Sequence, residues 1–128
     1  MKRWFHKIKK WNTTIWPAII WSAFVFLLLI APLKVESEEG FLPFPHFDKA
    51  IHVFLFSILS LLWHQYMVIK KKTMHVWGTI SFFIIIVLYG VSLECIQNLT
   101  GRDFDIWDMA ANTIGTMTGV IIKKSRAV

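Results

Sequence analysis

The sequence predicts an all-α membrane protein: a four transmembrane helix bundle with the N-terminus and C-terminus both cytoplasmic. Three observations predict it, namely the composition, long stretches without charge, and the placement of the basic residues. Of 128 residues, 55% are apolar and 17% charged, against about 25% charged in a typical soluble domain. No Lys, Arg, Asp or Glu occurs from Trp11 to Leu33, from Ala50 to Ile69 or from Thr73 to Leu93. A helix needs about 20 residues to cross a hydrocarbon core. A net charge of +6 raises the question of nucleic acid. The basic residues form no continuous face, however. Eleven of the fourteen fall in three clusters divided by apolar segments: Lys2, Arg3, Lys7, Lys9 and Lys10, then Lys70 to Lys72, then Lys123, Lys124 and Arg126. No nucleic-acid partner is expected, and the bilayer itself is the first partner.

The chain is read as a single domain over 1–128, with spans at about 14–33, 49–69, 74–97 and 106–122. Span one follows a basic start. It is long, lacks a small-x-small cleavage site and is followed by further apolar segments, so it reads as a retained span rather than a signal peptide. Pro17 in its first turns and Pro32 at its exit stand where a missing N–H costs little, and Trp4, Trp11, Trp16 and Trp21 suit the headgroup belt. The loop from Lys34 to His46 is acidic, and its Leu42-Pro43-Phe44-Pro45 run favours a stiff, extended entry into span two.

Spans two and three need no further argument. Span four is weaker, because Asp108 interrupts it and it is rich in Gly, Thr and Asn. Charge placement supplies what hydropathy does not. Lys and Arg near span ends are held on the cytoplasmic side, and only four spans put all three basic clusters there. The opposite side then receives Lys34, Lys49 and Arg102 with all eight acids: Glu36, Glu38, Glu39, Asp48, Glu94, Asp103, Asp105 and Asp108.

A polar constellation gathers near that outer side. Asp48, Lys49 and His52 share one side of the start of span two, and Glu94 and Gln97 share one side of the end of span three. Asp108, Asn112, Gly115 and Gly119 form one stripe along span four. At 1.5 Å per residue, His52 stands about 27 Å from Lys70 and Glu94 about 33 Å from Lys72, but Asp108 only about 22 Å from Lys123. Asp108 therefore lies beneath the headgroups, where a carboxylate turns inward and needs a partner. Arg102, Lys49 and His52 are its candidates.

Taken singly, each residue has a structural reading. Asp48 is a helix N-cap, His52 a satisfied helix-end histidine and Asn112 an interhelical hydrogen bond. Gly115 and Gly119 are close-packing positions, as is Gly90. His64 and His75 flank the lysine loop as interfacial residues, and Cys95, the lone cysteine, is a small filler that offers no disulfide. Ionisable groups from three spans at one depth are read together as a pocket formed by Asp48, Lys49, His52, Glu94, Gln97, Arg102, Asp108 and Asn112.

Asp48-Lys49-x-x-His52-x-x-x-Phe56, Tyr89-Gly90-x-x-x-Glu94-x-x-Gln97, Gly101-Arg102 and Asp108-x-x-x-Asn112-x-x-Gly115-x-x-x-Gly119 together resemble the VanZ-like family. The resemblance covers about Pro43 to Ile122. One departure is Ile106, where family members often carry a small residue such as Ser two places before the span-four aspartate. The resemblance implies a small protein of the cell envelope, associated with low-level resistance to the glycopeptide teicoplanin, and implies no reaction.

Three functions follow as expectations. The first is binding of a lipid-linked wall precursor or a lipoglycopeptide, with Lys49 and Arg102 drawing phosphate or carboxylate and Asp48, His52, Glu94 and Asp108 orienting the ligand. The second is an intramembrane enzyme in which His52 with Asp48, Glu94 or Asp108 performs acid–base work or holds a divalent metal. The third is a proton or ion pathway in an oligomer. Carboxylates and one His are able to ligate a hard metal, but no His-x-x-x-His or Glu-x-x-His pair gives a strong metal signal and no nucleophile motif is present, so neither metal nor cofactor is expected.

Overall fold

The structure is a computed structural model and describes residues 14–31, 46–71 and 75–126. Four helices occupy the described residues: α1 (Trp16–Ile30), α2 (Phe47–Lys71), α3 (Val76–Leu99) and α4 (Ile106–Arg126). The N-terminal basic cluster, Trp4, Trp11, Pro32 and the acidic loop before His46 lie outside the described residues. By length and composition α2 and α3 are able to cross a membrane. α1 has 15 helical residues, about 22 Å of rise. It is shorter than the expected span because Thr14 and Ile15 bend ahead of Trp16. Pro17 sits in its first turn, as its missing N–H predicts.

The connection from α3 to α4 is the most sharply defined turn. Arg102 N–H donates to the Gln97 carbonyl at 3.1 Å and Gly101 N–H to the Asn98 carbonyl at 3.4 Å, with Gly101 at φ 89°. This is the Schellman end of a helix, and it requires a left-handed residue that glycine supplies without a Cβ clash. Asp105 then opens α4. Its Oδ1 accepts the Trp107 N–H at 2.8 Å and its carbonyl accepts the Asp108 N–H at 3.1 Å, an N-cap arrangement.

α2 and α4 run parallel and share the largest interface. Glycine is the reason. A Cβ on Gly115 would overlap the Val53 carbonyl oxygen, and one on Gly119 would come within 2.5 Å of the Ser57 carbonyl oxygen. Backbone meets backbone there, as small residues four apart permit. Ser60 Oγ donates to the Thr116 carbonyl at 2.9 Å and ties the same seam.

α1 closes the bundle through polar anchors. Trp21 Nε1 donates to the Leu55 carbonyl at 3.0 Å and Trp63 Nε1 to Ser22 Oγ at 2.8 Å. Tyr89 donates its hydroxyl proton to the Ser22 carbonyl at 2.8 Å. Trp21, half-buried, is thus turned onto α2, where its indole N–H finds a backbone acceptor. His64 is buried, its ring edge-on to Phe82 at 5.7 Å, whereas His75 is exposed. Between the anchors lies a core of Val25, Leu29, Leu55, Phe56, Leu59, Phe82, Ile86 and Leu93.

The distribution of polarity reverses that of a water-soluble domain. His52, Ser60, His64, Glu94, Gln97, Asp108, Asn112 and Thr116 are buried, while Phe24, Leu27, Phe54, Ile85, Leu88, Trp107, Ile114 and Ile121 are exposed. α4 shows this within one helix. Asp108, Ala111, Asn112, Gly115, Thr116 and Gly119 face in, and Ile106, Trp107, Ile114, Met117 and Ile121 face out.

Candidate functional site

The start of α2, the end of α3 and the start of α4 meet at one end of the bundle. Helical periodicity puts Lys49 and His52 on the α4-facing side of α2. Parallel packing of α2 with α4 then sets them against Asp105, Asp108 and Asn112. Lys49 Nζ is the hub. It lies 2.6 Å from Asp105 Oδ2, 3.0 Å from Asp108 Oδ1 and 3.4 Å from Asp48 Oδ2. One ammonium therefore serves three carboxylates, and the group carries net negative charge.

His52 is 2% exposed. Its Nδ1 is 2.8 Å from Asn112 Oδ1. With the amide oxygen facing the ring, Nδ1 carries the hydrogen and the Nε2 lone pair is left over. Nε2 faces Asp108 Oδ2 at 3.7 Å, too long for a hydrogen bond. Glu94 completes the group from α3. It is wholly buried, and among the described residues neither carboxyl oxygen has a hydrogen-bond partner. The Asp105 backbone N–H lies close to it but outside hydrogen-bonding geometry. One ligand atom each from His52, Glu94 and Asp108 lies within 4.8 Å of the others.

Of the expected pocket, Asp48, Lys49, His52, Glu94, Asp108 and Asn112 converge. Gln97 does not join them in bonding. Its amide Nε2 donates to the Leu29 carbonyl at 2.6 Å and fastens α1 to α3, satisfying a helix-end carbonyl that would otherwise be orphaned. Arg102 is half-buried in the turn, within electrostatic reach of Glu94. Gly90 gives the cluster room, since a Cβ there would meet the Phe56 ring at 3.1 Å and Asn112 Nδ2 at 3.2 Å.

Asp105 is the residue that sequence reasoning left out of the pocket. The signal was present, an aspartate just ahead of an apolar helix, but a cap alone does not announce an ion pair with a residue 56 positions away. The Lys49 ammonium bonded to Oδ2, helped by the Trp107 N–H on Oδ1, holds the Asp105 carboxyl below its ordinary pKa of 3.8. A lowered folded pKa contributes stability above the unfolded value, and that stability is lost as pH falls through the folded one. Asn also caps helices, so Asp105→Asn removes the charge alone. Thermal unfolding against pH should show wild type above the variant at neutral pH and the gap closing in acid. A pH-independent gap would show that the pair contributes nothing.

The polar track continues inward as Thr116, Ser60 and His64, all buried. Their hydroxyls are spent on carbonyls, Thr116 on Asn112 and Ser60 on Thr116, so they form no relay. Beside the track, an apolar cleft of about 410 Å³ lies between α1, α2 and α3, lined by Leu59, Trp63, Phe82, Ile86 and Tyr89 among others. Leu59 is two turns along α2 from His52.

A family model described as VanZ/LLP1 matches residues 3–126, nearly the whole chain. The chain belongs to the VanZ/LLP1 family. Among curated proteins, this VanZ/LLP1 chain is similar to an uncharacterized protein of Schizosaccharomyces pombe, 28% identical over 102 residues. That match covers 77% of the chain and 61% of the relative, so the chain spans less than two thirds of the yeast protein's length. No solved structure matches.

Proposed function

We propose that this VanZ/LLP1 protein crosses the bacterial cytoplasmic membrane four times with both termini inside, and that its polar cluster binds the head group of a lipid-linked amphiphile near the outer face. The inverted polarity of α4 supports the fourth crossing: a helix with polar groups inward and isoleucines outward suits hydrocarbon. Lys70 and Lys123, at the ends of α2 and α4 away from the cluster, support the orientation. α1 is short for a span, and crossing would draw on residues flanking it.

Glu94 carries the binding reading. A wholly buried carboxyl with both oxygens unpartnered among the described residues is expensive unless something supplies donors. Lys49 is committed to three carboxylates, so the site is not a free cation awaiting phosphate. It suits a head group rich in hydroxyl or ammonium donors, such as the sugar–peptide head of a lipid-linked wall precursor or a lipoglycopeptide, with the apolar cleft taking a tail. A relative in a yeast favours an amphiphile class wider than wall precursors alone. Native mass spectrometry of the chain in host-lipid nanodiscs should find a bound amphiphile that Glu94→Gln releases. Equal occupancy in wild type and variant would sink the reading. Its envelope consequence is tested by teicoplanin susceptibility of a host expressing wild type or Asp108→Asn at equal abundance.

A second reading, acid–base chemistry on the same head group, is supported by the free Nε2 of His52 beside Asp108. It expects a chemically altered lipid pool that disappears with His52→Gln.

A further inference from the structure

Three side chains at the centre of the cluster have coordination left over in the same direction. His52 Nε2 faces Asp108 Oδ2 at 3.7 Å without bonding to it. Glu94, 0% exposed, has no hydrogen-bond partner on either oxygen among the described residues. The three residues bring ligand atoms within 4.8 Å of one another. We propose that His52 Nε2, Asp108 Oδ2 and a Glu94 carboxyl oxygen form a binding site for one divalent transition-metal ion of the zinc or manganese class.

The distances carry this beyond an acidic cluster. Two ligands bound at about 2.0–2.2 Å to one ion stand roughly 3–3.5 Å apart. The His52–Asp108 gap is too long for a hydrogen bond and close to that separation, so these two need little movement, and a rotamer adjustment of Glu94 closes the third side.

The surroundings of the ligands are the second observation. Metal-bound histidines hold their other ring N–H in a hydrogen bond that fixes the ring, and metal-bound carboxylates are themselves hydrogen-bonded. His52 Nδ1 is held by Asn112 Oδ1 at 2.8 Å. Asp108 Oδ1 is held by Lys49 at 3.0 Å, which leaves Oδ2 for the ion. Glu94 has no such hydrogen bond among the described residues, and an ion would supply the partner it lacks there.

The donor set also selects among ions. One imidazole with two carboxylates suits zinc, manganese or ferrous iron, whereas calcium asks for six to eight oxygens that this pocket does not provide. Two carboxylates and a neutral imidazole balance the charge of a dication. Three protein ligands leave at least one position open for water or a ligand oxygen. Spacing rules do not detect the site because the three ligands come from three helices.

The inference does not depend on which amphiphile binds, and its test is separate. The full chain, delipidated in detergent and stripped with chelator, is dialysed against Zn²⁺, Mn²⁺, Mg²⁺ and Ca²⁺ in turn, and bound metal is counted by mass spectrometry. The expected result is about one Zn²⁺ or Mn²⁺ per chain, displaced by neither Mg²⁺ nor Ca²⁺. Glu94→Gln and His52→Gln should abolish that equivalent, and Asn112→Ala should weaken it by about 10–100-fold. Glu94→Gln replaces a buried charge by a neutral amide, so it is the variant expected to stay folded, as an unchanged helical circular dichroism spectrum would confirm. Co²⁺ substitution should give a d–d absorption band lost in His52→Gln. His46→Ala with His75→Ala removes two exposed imidazoles and should change nothing. Metal retained by folded Glu94→Gln and His52→Gln, or none bound by wild type, overturns the proposal. Loss of amphiphile binding with metal binding intact, or the reverse, separates this site from the proposed head-group function.

Discussion

Lys49→Met should destabilise the protein by about 2–4 kcal/mol, the largest loss expected from any single charge, because it strands carboxylates that one ammonium now serves. Breaking a fully buried ion pair costs about 3–5 kcal/mol. Water relieves part of that here, since the Asp48 and Asp105 side chains are 49% and 35% exposed. Asp108, 6% exposed, has no such relief. Most of the cost therefore sits on Asp108, and Asp108→Asn placed on Lys49→Met should recover more than half of it. Equilibrium unfolding in mixed micelles for the two single variants and the double variant measures this as a double-mutant cycle. Additive losses would mean that Lys49 and Asp108 do not act as a pair.

Gly115→Ala should cost about 2–3 kcal/mol, toward the upper part of the range for overpacking, because the added methyl meets backbone rather than a side chain that can swing away. The obstruction is the Val53 carbonyl, with Phe56 Cβ at 3.0 Å behind it. Gly119→Ala meets the Ser57 carbonyl and the Leu61 nitrogen and should behave alike. Gly90→Ala meets only the Phe56 ring and the Asn112 amide, both of which can shift, so it should cost less than about 1 kcal/mol. Gly101→Ala has open space around it but a φ of 89°, and backbone strain alone sets its cost at about 1–2 kcal/mol. The same unfolding assay ranks the four. If Gly115→Ala proved as mild as Gly90→Ala, the close approach of α2 and α4 would not be what holds the bundle. Separating those helices would also pull Asn112 from His52, so the site should loosen with the fold.

Much of the cluster is legible because helical periodicity is local. Lys49 and His52 three apart, and Asp108 and Asn112 four apart, share a face wherever their helices go. The glycine stripe in register with Asp108 likewise shows that the packing face and the polar face of α4 are one. What periodicity does not contain is the rotation of one helix against another. Gln97 lies one turn from Glu94, yet it turns to α1 and bonds Leu29. Trp21 looks like an interfacial tryptophan and also anchors on Leu55. Asp105, one of the outer acids by charge count, caps α4 and is also the shortest partner of Lys49.

The sequence by itself determined four apolar or half-apolar segments, the gathering of Asp48, Glu94, Asp105 and Asp108 at one end of the bundle, and the small-residue face of α4, all of which follow from composition, charge order and a 3.6-residue repeat. Only the tertiary structure decided which carboxylates Lys49 neutralises and that Glu94 finds no hydrogen-bond partner among the described residues. Those outcomes depend on how closely two backbones approach at Gly115 and Gly119. That contact sets the position and rotation of α4 against α2, and with them the distances from Lys49 and His52 to Asp105, Asp108 and Asn112.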